Sequence, residues 1–124
     1  MEKRKIFFVG RLLAVMFVVL VYGFNLPSAW AEGLKKVEAK FVCMVNNNLY
    51  PKEQISIVVD KKTYFGCCEM CKEKLGNSKA ARTAIDPVSK RPVDKADAVI
   101  GASEKGKIFY FENLKNLEQF DAPS

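Results

Sequence analysis

The sequence predicts an α+β fold of two tandem β-hairpin and helix units, on three observations. Short β-branched and aromatic runs come in pairs divided by turn residues. Each pair is followed by a run of helix formers. The second pair and helix repeat the first at a shift of 45 residues, which reads as an internal duplication.

The elements follow in chain order. Lys3, Arg4 and Lys5 precede the apolar run Leu12 to Phe24, which ends in Ser28-Ala29-Trp30-Ala31. A basic stretch, an apolar stretch and small residues at Ala29 and Ala31 are the parts of a signal peptide, so residues 1–31 are expected to be removed by cleavage after Ala31. The uninterrupted apolar run of 13 residues, fronted by Arg11, is short against the ~20 that span a bilayer. No stable membrane span is therefore expected after cleavage, and anchoring by an uncleaved segment is the alternative. The expected location is the periplasm or the exterior, where cysteines meet oxidising conditions. Residues 1–31 hold four of the 20 Lys+Arg and one of the 14 Asp+Glu, so their loss halves the net charge of +6. What remains is a modest excess without an arginine-rich run, which gives nucleic-acid binding little support.

Residues 32–40 read as a charged leader, and a first unit spans 41–84. Phe41 to Val45 is an expected strand, stopped by Asn46-Asn47-Asn48. Ile55 to Val59 is the strongest strand signal, Asp60-Lys61-Lys62 turns the chain, and Thr63 to Gly66 returns as its partner. Glu69 to Leu75 reads as a helix with Gly76 as its C-terminal cap, and Asn77 and Ser78 can cap a second helix over Lys79 to Ala84. A second unit spans 85–124. Pro87 and Pro92 impose an extended, turning path. Ala98 to Gly101 and Lys107 to Phe111 then form a hairpin around Glu104-Lys105-Gly106, and Asn113 to Phe120 a helix. Asp86, Asp94 and Asp97 read as caps and solvated loop residues, and the hairpin aromatics as core.

The chemistry concentrates in four cysteines. Cys67, Cys68 and Cys71 lie where a strand pattern gives way to a helical one, and Cys43 lies 23 intervening residues upstream of Cys67. Cys67 at a strand end and Cys71 one helical turn on can point at one centre, with Cys43 as the third ligand. A helix start favours thiolate through its dipole and unpaired N–H groups. Cys68 reads either as a fourth ligand or as a small hydrophobe under the helix. Met44 and Met70 are further thioether candidates, or core filler. The chain has no histidine, so any metal site must use sulfur or oxygen, and histidine-dependent catalysis is excluded. Soft sulfur donors favour Cu(I), and four thiolates would equally suit Zn(II).

These residues resemble known families. Cys43, the 23-residue interval and Cys67-x-x-x-Cys71 after an aromatic pair resemble the TRASH domain, a small module proposed to bind heavy metals. Asp86-Pro87-Val88-Ser89-Lys90 through Gly106-Lys107-Ile108-Phe109-Tyr110-Phe111 to Phe120 resembles the related YHS domain. Ser89, Glu112 and Asn116 stand where that family has cysteines, so the second unit is degenerate and is expected to hold no thiolate site. The resemblance implies small treble-clef-like units, each helix start presenting ligands. The function expected is the carriage, buffering or resistance of a heavy-metal ion, with an envelope metal-transport or metal-resistance protein as a partner and no enzymatic activity. Two alternatives use the same cysteines: a disulfide-stapled interaction module of the envelope, and thiol-disulfide exchange through Cys68-Glu69-Met70-Cys71.

Overall fold

The computed structural model describes residues 33–122, and the expected signal segment and its cleavage site lie outside the described residues. Strand β1 (Lys35–Lys36) leads through a 3₁₀ turn (Ala39–Phe41) into β2 (Val42–Cys43) and β3 (Asn48–Leu49). Then come β4 (Ile55–Val59), β5 (Lys62–Gly66), α1 (Glu69–Asn77) and α2 (Lys79–Arg82). The second half holds β6 (Thr83–Ile85), β7 (Pro92–Asp94), β8 (Val99–Ala102), β9 (Ile108–Phe111) and α3 (Leu114–Gln119). The fold is α+β, as the alternation of short strand pairs with helices predicts. Among the described residues no helix is long and apolar enough to cross a membrane.

The hairpin and helix pattern occurs twice. Strands β4 and β5 pair antiparallel with Val59 opposite Lys62, and the two residues between, Asp60 and Lys61, both take positive φ (50° and 65°). That is the backbone of a primed two-residue turn, whose twist matches its strands. In the second hairpin Ala102 faces Ile108 and Gly106 supplies the positive φ (78°). Tyr64 faces Ile57 with six residues between them, and Phe109, its counterpart at a shift of 45, faces Gly101 with seven between. Helix α1 packs on β4 and β5, and α3 packs on β8 and β9.

Three expectations change in the structure. Residues 33–40 are part of the fold: β1 pairs with β8, Lys35 opposite Ala102 and Lys36 opposite Gly101, and Leu34 is buried. The charges that make this stretch look like a leader belong to an edge strand whose lysines face solvent. The strand expected over Phe41 to Val45 keeps two residues, because Met44 N–H leaves the ladder to bond Phe65 O at 2.8 Å. Gly76 does not cap α1, which runs to Asn77 with Ser78 as C-cap. A Cβ at Gly76 would lie 3.1 Å from Ile57 Cδ1, so the glycine serves the close approach of helix to hairpin.

The halves share one hydrophobic cluster. Val42, Met44, Tyr64 and Leu75 pack with Ile100, Ala102, Ile108 and Tyr110 from the second half. Buried side chains of this size each contribute roughly 1.5–3 kcal/mol, so neither half holds a complete core alone. A smaller cluster of Leu34, Phe111 and Leu117, with Phe109 and Phe120 against it, seats α3. The hairpin aromatics are thus core: Tyr64, Tyr110 and Phe111 are buried.

Candidate metal centre

Strand β5 ends at Gly66, the chain bends at Cys67, and Cys68 is extended before α1 begins at Glu69. Cys68 is the N-cap residue (φ −153°, ψ 171°) and makes no side-chain cap bond. Cys71 therefore sits one turn from Cys67 on the same side of the helix start. A Cβ at Gly66 would lie 2.9 Å from Cys71 Cβ, so only glycine lets the helix press this close to the strand end. Cys43 arrives from β2, held beneath by the Met44 to Phe65 bond and by Asn47 N–H donating to Cys43 O at 2.8 Å.

These segments bring together the sulfurs of Cys43, Cys67 and Cys71, all within 4.8 Å of one another. Two thiolates bound to one ion at ~2.3 Å must lie about 3.8–4.0 Å apart for tetrahedral or trigonal geometry. Cys67 Sγ and Cys71 Sγ are 3.7 Å apart. The set is thus close to metal-holding geometry, and it can hold an ion. Cys43 is buried, Cys71 half-buried and Cys67 exposed, so the centre opens to solvent on one side.

The other candidates are not members of this three-thiol set. Cys68 Sγ lies 3.4 Å from Cys71 Sγ and is exposed, which replaces the reading of a hydrophobe under the helix. Met44 is wholly buried in the shared hydrophobic cluster, where it fills the core. Met70 is 79% exposed.

The thiols divide into two acidities. Burial opposes ionisation of Cys43, but the N–H groups of Asn46, Val45 and Cys67 outweigh it and pull the thiol below its ordinary range. Cys68 is lowered as well, first by the Cys71 backbone N–H at the helix start. Cys67 is raised, first by its contact with the Cys43 sulfur and then by burial. Burial, followed by the neighbouring Cys68 and Cys67 sulfurs, pushes Cys71 up to about 12. Negative charge thus settles first on Cys43 and Cys68, and protons stay on Cys67 and Cys71.

Sequence reasoning missed what the second half gives this site. Lys95 is buried and donates from Nζ to Met44 O at 2.5 Å and to Asn47 Oδ1 at 3.2 Å, which also accepts from Tyr110 OH at 3.2 Å. The ammonium stands 5.2 Å from the Tyr110 ring centroid. Burial lowers the Lys95 pKa while the charge on Cys43 works against that lowering, and burial with the same Cys43 charge raises Tyr110. A cation and a phenol from the second half thus brace the turn that carries Cys43. Nothing in the stretch Asp94-Lys95-Ala96-Asp97 distinguishes this lysine from solvated ones. Asn46 adds a donor on the outer side, its Nδ2 lying 3.8 Å from Cys67 Sγ.

The corresponding place in the second half is filled by protein. Asp86, expected as a solvated loop residue, is fully buried. Its Oδ2 accepts from Glu112 N and Asn116 Nδ2, both at 2.8 Å, the two residues that fall on Cys67 and Cys71 at a shift of 45. Its Oδ1 accepts from Val88 N at 2.7 Å and Ser89 N at 3.1 Å. Burial opposes this charge, but the Asn116 amide and the N–H groups of Glu112, Val88 and Ser89 hold the carboxyl below its usual range. Asp94 and Asp97, the other two acids of that stretch, both pair with Lys62.

Fold and site together define a hairpin-helix α+β protein with a three-thiol centre able to hold a metal. Comparison with family models, with curated proteins and with solved structures gives no match to this chain.

Proposed function

We propose that this chain is an exported metal-binding protein that holds one soft or borderline ion, Cu(I) or Zn(II), through Cys43, Cys67 and Cys71, for carriage or buffering. The observation that carries the reading is the mutual approach of three thiols from two separate segments, with Cys67 and Cys71 at 3.7 Å. A chain that needed cysteine only to fold would not require it here, since the second hairpin and helix stand with Glu112 and Asn116 at the positions of Cys67 and Cys71, tied by the buried Asp86 carboxylate. The sequence resemblance to the TRASH domain supports the same ligands, and the resemblance of the second half to the YHS domain makes that half a scaffold or docking surface. The absence of histidine and of a carboxylate among the clustered donors favours a thiophilic ion over Mg(II) or Ca(II). No catalytic step is part of this reading.

One observation favours a second reading. The Cys68 and Cys71 sulfurs at 3.4 Å form a Cys-x-x-Cys pair that an oxidant could close into a disulfide. A single preparation separates the two. Protein purified under reducing conditions is expected to bind one equivalent of Cu(I) or Zn(II) by elemental analysis, and none after Cys67→Ser with Cys71→Ser. Native protein with no titratable thiols and no bound metal would sink the metal reading.

A further inference from the structure

We propose that Cys68 is a receiving thiol, which accepts Cu(I) from a thiolate donor at the protein surface and passes it to Cys71 without holding it at rest. The inference rests on the metal-binding reading and adds the route by which the cargo arrives.

The resting set is Cys43, Cys67 and Cys71, and its innermost sulfur belongs to a residue with 0% exposure. An ion carried on another molecule's thiolate cannot meet Cys43 first. Cys67 and Cys68 are both exposed, and Cys68, in extended backbone at the N-cap, is the one outside the resting set. Its sulfur is nevertheless 3.4 Å from Cys71 Sγ, closer than Cys67 at 3.7 Å. The sulfurs thus step from Cys68 outside to half-buried Cys71 and on to buried Cys43. Each step lies within one ligand exchange of the next.

The exchange balances without redox chemistry. The Cys68 sulfur bonds to Cu(I) as one donor thiolate leaves, and the proton given up by Cys68 goes to that leaving sulfur. Cys71 then displaces Cys68 from the ion, and its proton returns to the Cys68 sulfur; Cys43 and Cys67 displace the remaining donor thiolate, which leaves with the Cys67 proton. Copper stays Cu(I) throughout.

The test is stopped-flow transfer of Cu(I) to the reduced chain from its glutathione complex and, in a parallel arm, from a Cys-x-x-Cys peptide, with wild type and Cys68→Ser compared. Serine is a good N-cap residue, so this variant keeps its helix start. Cys68→Ser is expected to bind one equivalent with affinity within about threefold of wild type. Its uptake is expected to slow by about tenfold or more in at least one arm, because a neighbouring sulfur acts at high effective concentration. The arm that slows more identifies the donor as a small thiol or a protein dithiol. Uptake at the wild-type rate in both arms would overturn the proposal. Loss of the bound equivalent would overturn it differently, by making Cys68 a resident ligand. A wild-type chain that takes up no copper at equilibrium would instead remove the metal-binding reading itself.

Discussion

Gly66→Ala is the sharpest probe of how the fold builds the centre. The added Cβ would stand 2.9 Å from Cys71 Cβ and 3.2 Å from Cys71 C and Lys72 N. Two of these are backbone atoms and the third is fixed to the backbone, so none can swing away as the end of a long side chain would. Ordinary contact requires the start of α1 to retreat by about 0.5 Å or more, and overpacking of this kind costs roughly 1–3 kcal/mol. The retreat moves Cys71 away from Cys67 and Cys43, so it weakens binding as well, by about tenfold for each 1.4 kcal/mol carried into the metal-bound state. Urea unfolding of the reduced, metal-free chain measures the first effect, and competitive titration with a Cu(I) or Zn(II) chelator measures the second. Gly33→Ala is the control: nothing lies within 4 Å of its Cβ, and stability should stay within about 0.5 kcal/mol of wild type. Gly66→Ala with wild-type stability and affinity would refute the claim that this close approach sets the thiol geometry.

Two further outcomes follow from the charges. Cys67 and Cys71 are both raised and hold their protons near neutrality, so binding must release at least two protons and affinity should climb with pH. A plot of log K against pH is expected to rise with a slope of about two or more between pH 6 and 8, and a slope below one would contradict the assignment of these two ligands. Asp86→Asn places an amide nitrogen or a lone oxygen where both carboxylate oxygens now accept, facing at least one donor with another donor. The expected loss is about 2–4 kcal/mol in chemical unfolding. Because the folded-state pKa of Asp86 lies below its ordinary 3.8, its stabilisation is fully present above that value and fades as pH falls through the folded-state value. The gap between wild type and Asp86→Asn should therefore narrow below about pH 4, and a gap independent of pH would argue against an ionised Asp86.

Much of the architecture was legible residue by residue. The run Ile55-Ser56-Ile57-Val58-Val59 became β4 as read, because β-branched content and period-two burial agree there. The helix after Cys68 and the hairpin of β8 and β9 were also legible, each bounded by turn residues. The shift of 45 residues was visible in the aromatic pairs and reappears in the backbone: Cys68 and Asn113, the two N-caps, share nearly the same φ and ψ. What failed were strands of only two or three residues. Residues 35–36 join β8, and 83–85, read partly as helix, pair with β7. A two- or three-residue strand has no period of its own, and for residues 35–36 the partner also lies far along the chain.

The site divides in the same way. Sequence alone determined the chemistry on offer: four thiols, no histidine, and three cysteines placed where a strand hands over to a helix. It named Cys43, Cys67 and Cys71 as candidates. Only the tertiary structure decided that Cys43 reaches the other two, that Met44 turns into the core and Cys68 out to solvent, and that Lys95 and Asp86 are buried. Local spacing fixes directions within one helical turn. Which sulfur is inside, and which charge stands beside it, depends on how the two halves close over a shared core.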